Sequence, residues 1–572
     1  MRTEGAAGAG DALAPRFALP IICIAALAAL LPELATGLSL SDSFRYNIVW
    51  TEQFRDLART GILYPRWLPG SWGGLGSPTF YFYPPLYFWL AAFVDAVTLH
   101  LLPIDALVSA TSALVLALSG VTMRIWLRIF VPPRAALLGA LAYMVAPYHI
   151  YDIYARGALA ESCAYALLPL IALAIRRLAE GRKRYFFLFA ASYAGLALSH
   201  LPSALLASLF LIPAYAIFCG LRYAASLPRF LAAIAAGAIA GIGISACYLL
   251  PALTLLPFIS ANALAGPHFQ PETWFFWRPA AWPQPEAMGL IVPLAAAALL
   301  LVAGAARARR RAERNLESRL WAGVAIAGIL MLSGAIPFLW KLPFLAQVQF
   351  PWRLYVIVEF AVITCLAASM PLRWNFALAA ATIILYGCLI FTGILVSVRA
   401  HAFSAGRAAN AAAARRDYRE APEYLPRGRV VPPGTTGAPD PARMKFPRGP
   451  EASAAAPGAR TYSVRRKDGG LEIVVDSAVP TLIVARRFYF PHWQVVDGAG
   501  RRVAAAPSPG SRRLSWRAPA GRTRFIVRSG AAPLQQLGFA ISLAAILALL
   551  ALAAWLFRHG GKPARDILEI RR

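Results

Sequence analysis

A chain of 572 residues, 59% hydrophobic and with a mean hydropathy of +0.57, is too apolar for a soluble globular protein. It is long enough for about a dozen membrane spans and a modest soluble domain besides. The net charge of +29 would suggest nucleic acid in a soluble chain, but here Lys and Arg cluster in short gaps between apolar runs, where they set topology. No nucleic-acid partner is expected.

Residues 1–16 are Gly/Ala-rich and read as a disordered cytoplasmic N-terminus. The apolar run from Phe17 to about Gly37 carries Glu33 and lacks a clean small-residue cleavage site, so it reads as a retained first span. Residues 38–104 then lie outside as one long interruption, with Asp42 at its start and Gly, Pro and aromatic residues at unusual density. The six cysteines (Cys23, Cys163, Cys219, Cys247, Cys365, Cys388) all fall in apolar runs and read as small buried residues.

Basic gaps at Arg124–Arg134, Arg176–Arg184, Arg222–Arg229, Arg307–Arg319 and Arg373 are expected inside. Were 82–101 a full span, every later basic gap would face the wrong side. It therefore reads as a juxtamembrane or re-entrant helix within the first outer loop, in keeping with Asp95 and Pro103. Spans are then expected at about 105–127, 134–150, 158–176, 185–201, 203–221, 230–252, 287–305, 320–336, 351–370, 376–397 and 534–557. With the first, these make about twelve transmembrane helices over 17–397 and 534–557, and a cytoplasmic tail at 558–572.

Residues 398–533 are the one sizeable soluble segment. Residues 398–458, rich in Ala, Pro, Gly and Arg, read as an extracytoplasmic connector. Over 459–533, TYSVRR, LEIVVD, TLIVARR, HWQVVD, RRLSW and TRFIVR alternate as strands do, which predicts a small extracytoplasmic β-sandwich. The whole segment holds 24 Lys and Arg against 9 Asp and Glu, a net +15. That balance fits an anionic lipid surface or glycan nearby, and equally a merely solvated basic surface.

Candidate chemistry gathers at the outer ends. From Tyr46 onward, Tyr46, Trp50, Phe54, Leu57 and Ala58 share one helical face. Asp42 precedes this helix, as an N-cap or as a general base for an acceptor hydroxyl. Arg66 sits among aromatic residues before Gly73, Gly74 and Gly76, whose expected role is turn geometry rather than a phosphate loop. Tyr83 belongs to an aromatic cluster that could stack on a sugar or polyprenyl chain, or simply mark the bilayer interface. Asp152, Arg156, Glu161, His200, His268, Lys341 and Arg353 fall at outer span ends, where ionisable residues face a cavity or a partner. An ion-paired corner is expected of Asp152, Arg156 and Glu161. For Arg353, in QFPWR, snorkelling competes with bidentate phosphate binding.

The acid in a long first loop, then YPRW and a Gly/Pro/aromatic run, PPLYFWL, YARGALAE, QFPWR, EYLP and FYFPHWQVVDG, together resemble the bacterial membrane family called 6-pyruvoyl-tetrahydropterin synthase-related. That family belongs with the GT-C type integral membrane glycosyltransferases, and the likeness runs over essentially the whole chain. Nothing in the sequence suggests pterin chemistry. The resemblance implies a bacterial cytoplasmic membrane location, a sugar donor carried on polyprenyl phosphate and membrane lipids as further partners. It also implies Asp42 as catalytic base, and Arg353, with Arg66 and Lys341 behind it, as holders of the donor phosphate. Two positions depart from the pattern: the local string SDS has a single carboxylate, and Tyr46 stands where nearer relatives often carry His. No metal ligands are assigned, and use of a divalent metal is left open. The rival expectation is a non-catalytic GT-C scaffold serving lipid or glycan transport or assembly.

Overall fold

The computed structural model describes residues 7–36, 43–261, 264, 266, 269–275, 315–369, 421–428, 450–465 and 470–559. Asp42, His268 and the expected spans at 287–305 and 376–397 lie outside the described residues.

Among the described residues six helices are long and apolar enough to cross a membrane: Ile104–Leu127, Leu159–Ala179, Leu201–Tyr223, Leu227–Ile244, Pro351–Ala368 and Gln535–Arg558. Helix Leu159–Ala179 sits at the centre, packed against Ile104–Leu127, Tyr185–Ser199, Ile212–Tyr223 and Tyr355–Ser369. It is apolar around most of its circumference, and Tyr165, Leu168, Ile171, Ala172 and Ile175 are all buried, as a helix surrounded by helices requires. Helix Gln535–His559 is its opposite, with Leu543, Leu547, Leu550 and Phe557 exposed. Such a face suits hydrocarbon. Its seat is polar and small: Ser542 Oγ donates to Ile244 O at 2.7 Å and accepts from Cys247 N at 2.8 Å. A side chain at Gly538 would meet Ala246 O at 2.7 Å, so glycine there allows the close crossing.

The run expected to span 134–150 is broken. Helix Pro133–Met144 stops, and a new helix, Pro147–Tyr151, starts three residues later. Pro147 disfavours helical geometry at Ala146, which takes ψ 141°. The restarted helix runs into a π-helical turn, Asp152–Arg156, closed by Gly157 at φ 61°.

Residues 43–103 fold tightly. Helix Phe44–Arg59 buries Ile48, Trp50 and Phe54 and packs on helix Leu86–Val97 and on Ile104–Leu127. Arg59 clamps Asp95 bidentately, at 2.9 and 2.7 Å, and His100 Nδ1 closes on the same carboxylate at 2.6 Å. The 86–97 helix has 12 residues, about 18 Å at 1.5 Å per residue, short of a hydrocarbon core of about 30 Å. Gly73, Gly74 and Gly76 all take positive φ, and a Cβ on Gly76 would collide with the Trp67 ring. Only glycine satisfies both the turn and that contact.

The C-terminal described region holds two antiparallel sheets. One has the order β1 (Ala452–Ala454), β4 (Thr481–Phe488), β8 (Arg513–Ala518), β7 (Ala505–Pro507). The other runs β2 (Arg460–Arg465), β3 (Leu471–Ser477), β9 (Gly521–Ser529), β5 (Trp493–Asp497), β6 (Arg502–Val503). The six stretches expected as strands coincide with β2, β3, β4, β5, β8 and β9. Alternation decides their faces: Leu471, Ile473 and Val475 are buried on one sheet, Ile483 and Ala485 on the other. These side chains share one buried cluster with Phe44, Ile48, Trp50 and Phe80. Residues 43–103 and the sheets are therefore sealed by common apolar packing, with Trp67 against His492 at 4.7 Å and Tyr81 against Phe490 at 4.9 Å.

Candidate functional site

The π-helical turn presents Asp152 and Arg156, and the next helix opens with Glu161, so one short corner carries two acids and a guanidinium. π-turns re-aim side chains that an α-helix would disperse, and they recur at functional sites. Arg156 Nη1 donates to Asp152 Oδ1 at 2.5 Å, to Glu161 Oε2 at 2.7 Å and to Tyr148 Oη at 2.5 Å. Tyr148 in turn donates to Glu161 Oε1 at 3.1 Å. Asp152 and Glu161 are 0% and 1% exposed, so this is a desolvated ion cluster rather than a surface pair.

Two further basic side chains approach Glu161 from distant segments, and burial keeps the His200 ring neutral by lowering its pKa to about 3. His200 Nε2 stands 3.9 Å from Glu161 Oε2, its Nδ1 held by Ser203 Oγ at 2.8 Å. Arg353 Nε stands 4.0 Å from the same oxygen, with Nη1 donating to Val348 O at 2.6 Å. Arg353 Nε has no hydrogen-bond partner, and neither has Asp152 Oδ2. Burial pushes the Asp152 carboxyl well above its ordinary value; the charge of Glu161 adds to this and Arg156 opposes it. The Arg156 guanidinium is held well above its ordinary value: burial opposes its charge, but Glu161, Tyr148 and Asp152 outweigh that. Tyr83 faces the cluster from the segment 43–103; burial pushes its hydroxyl up to about 12, with Arg353 pulling the other way.

The corner also anchors the start of that segment. Ser43 N donates to Arg156 O at 2.8 Å and Asn47 Nδ2 to Gly157 O at 2.7 Å. Ser43 is the N-cap of the 44–59 helix and makes no side-chain cap bond. Asp42, outside the described residues, is its chain neighbour. Beneath the corner, Glu359 accepts from Tyr148 N at 2.6 Å, His149 N at 3.3 Å and Tyr165 Oη at 2.8 Å. A carboxylate on the first amides of Pro147–Tyr151 fixes the turn that aims Asp152 and Arg156.

The structure thus gathers Asp152, Arg156, Glu161, His200, Arg353 and Tyr83. Arg66 is elsewhere: its guanidinium is caged by Tyr64 at 3.8 Å, Phe539 at 5.1 Å and Tyr81 at 5.4 Å, and donates to Cys247 O at 2.5 Å. It shares no partner with the cluster and reads as a cation–π fastener for the 535–559 helix. Lys341 is exposed at the end of a 3-10 turn, Pro337–Lys341. Sequence reasoning missed Glu359, Tyr148 and Ser203. An acid inside the apolar run YVIVEFAV was a usable signal for Glu359; the other two had none. Among the described residues no group of three or more His, Cys, Asp or Glu is placed to hold a metal ion.

No family model matches the chain, and no curated protein does. Several solved structures are similar in part. Arabinofuranosyltransferase AftD from Mycobacteria is 18% identical with a TM-score of 0.36, over 66% of this chain and 27% of that one. ArnT from Cupriavidus metallidurans bound to undecaprenyl phosphate is 12% identical with a TM-score of 0.28, over 62% of this chain and 77% of that one. The Archaeoglobus fulgidus oligosaccharyltransferase, tethered to an acceptor peptide, is 13% identical with a TM-score of 0.29, over 68% and 56%. All are GT-C glycosyltransferases.

Proposed function

We propose that the chain is an inverting glycosyltransferase of the bacterial cytoplasmic membrane, with about twelve spans, both termini inside, and its β region a sandwich outside. It transfers a sugar from polyprenyl phosphate to an acceptor hydroxyl on the outer side. One observation carries this reading: the largely buried Arg353, whose Nε makes no hydrogen bond, stands beside a cluster to which the first outer loop, just after Asp42, is tied. Buried donors are almost always satisfied, and a guanidinium with a spare edge suits a phosphate oxygen.

In this reading Asp42 takes the proton of the acceptor hydroxyl as that oxygen attacks the anomeric carbon. The bond from that carbon to the phosphate oxygen breaks, and Arg353 stabilises the charge left on the polyprenyl phosphate. Arg156 and Glu161 position rather than react, since each is already committed to partners. Arg66 and Lys341 recede as phosphate ligands, because neither joins the cluster. Membrane vesicles supplied with lipid-linked sugar test the assignment: Asp42→Asn should abolish transfer while Arg353→Gln weakens it at least about tenfold, the scale of one charge-assisted bond. Full transfer by the Asp42→Asn protein would sink the base assignment.

A second reading, a non-catalytic GT-C scaffold, is favoured by one fact. Arg156 Nη1 is taken up by Asp152, Glu161 and Tyr148, so protein groups already hold a guanidinium edge that a donor phosphate would need. Retained lipid-linked sugar binding with no transfer under any acceptor would select it.

A further inference from the structure

Strands β4 and β8 each carry an arginine pair, Arg486–Arg487 and Arg512–Arg513, with Arg512 just ahead of β8. Antiparallel pairing sets Phe488 opposite Arg513, and Tyr489 N donates to Arg512 O at 3.0 Å, so the two pairs are neighbours across the sheet. Phe488 packs with Trp72, Leu75 and Leu425. The arginines therefore ring a small seam between the glycine-rich turn, the 421–428 connector and the sheet.

Two of the four, Arg512 and Arg513, have no answering charge among the described residues. Arg486 donates to Gly73 O at 2.7 Å and has Glu451 at 3.9 Å. Arg487 is buried, with its guanidinium over the Trp493 ring at 5.0 Å. Arg512 and Arg513 have no side-chain hydrogen bond or ion pair among the described residues, and the Nε of each is buried without a partner. Arg512 moreover holds φ at 54°, a left-handed conformation that strains a non-glycine residue. Its guanidinium is packed against Gly428, 3.8 Å from where a Cβ would stand. Burial, and then the charge of Arg486, push the Arg513 guanidinium below its ordinary value. Backbone strain at Arg512, with the Nε of both Arg512 and Arg513 buried and unbonded, leaves this pair without a counter-charge among the described residues.

We propose that Arg486, Arg512 and Arg513 form a binding site for a phosphate-bearing molecule in this seam. Planar guanidiniums with spare edges match a tetrahedral oxyanion bidentately. The phosphate belongs either to a water-soluble phosphoester or to a lipid headgroup at the membrane surface. The site shares no residue with the Arg353 cluster and does not rest on the transfer reading.

The test uses the full chain in phosphatidylcholine nanodiscs, titrated with inorganic pyrophosphate by calorimetry. Saturable binding is expected, weakened about tenfold or more in Arg512→Gln/Arg513→Gln. The control Arg522→Gln/Arg528→Gln removes the same charge from exposed positions on β9 and should bind as the wild type. Melting without pyrophosphate should be unchanged or higher in the Arg512/Arg513 variant, because repulsion is relieved. Absent binding, equal weakening in the control, or a variant that melts lower without ligand overturns the proposal, the last by making these arginines structural. Binding that weakens in phosphatidylglycerol nanodiscs identifies a competing headgroup as the source; binding unchanged there identifies a soluble phosphate.

Discussion

His492 offers a quantitative handle on how residues 43–103 are held to the β region. Its ring is 0% exposed, lies 4.7 Å from Trp67 and 4.2 Å from Trp493, and neither nitrogen has a hydrogen-bond partner. Burial, with Arg487 adding, lowers its pKa from 6.5 to about 3. Above pH 6.5 the ring is neutral in both folded and unfolded chains, so its stabilising contribution is fully present. As pH falls below 6.5 the unfolded chain binds a proton that the folded chain refuses, and stability is lost at about 1.4 kcal/mol per pH unit. Between pH 7 and 5 that is about 2 kcal/mol. Glu423 works in the opposite sense, because burial raises its pKa from 4.5 to about 7; its folded form takes the proton first, and stability rises as pH falls through that window. The reading must therefore be a difference between His492→Phe and wild type. Phe keeps the stacking and forfeits no hydrogen bond. Pulse proteolysis of the full chain in urea, at pH 7 and 5, should show the two proteins equal at pH 7 and the variant about 2 kcal/mol ahead at pH 5. Equal losses in both proteins would refute the argument.

Arg156→Gln strands two buried carboxylates and should cost about 3–5 kcal/mol by the same proteolysis, with most of it restored by adding Asp152→Asn and Glu161→Gln; a cost under about 1 kcal/mol would mean the cluster is hydrated. Gly157→Ala places a Cβ 2.7 Å from the Phe44 ring at a φ of 61°. It should loosen the start of the 44–59 helix, seen as faster hydrogen exchange at Asn47 and Ile48 with the 104–127 helix unaffected.

Local chemistry was the legible part. The six strands were readable because apolar and polar residues alternate with the pleat, and the Asp152, Arg156, Glu161 corner because its members are close in sequence. The break before Pro147 was also written locally, but run length outweighed the restriction that proline imposes on Ala146. What periodicity does not carry is pairing over distance. Glu359 caps amides 211 positions away, and Arg353 and His200 converge on Glu161 through helix packing alone. Likewise, alternation predicted the sheets but gave no sign that their core continues into Trp50 and Phe80.

These long-range contacts decide what each charged residue can do. Arg156 directs Nη1 at Asp152, Glu161 and Tyr148 and its carbonyl at Ser43, so a substitution that shifts the backbone of this turn would disturb the first loop as well as the cluster. Arg353 spends one nitrogen on the backbone and leaves Nε unanswered. Loss of transfer in an Arg156 variant is therefore ambiguous between chemistry and placement. Loss in an Arg353 variant whose Ser43 and Asn47 amides exchange as in the wild type is assignable to the guanidinium itself.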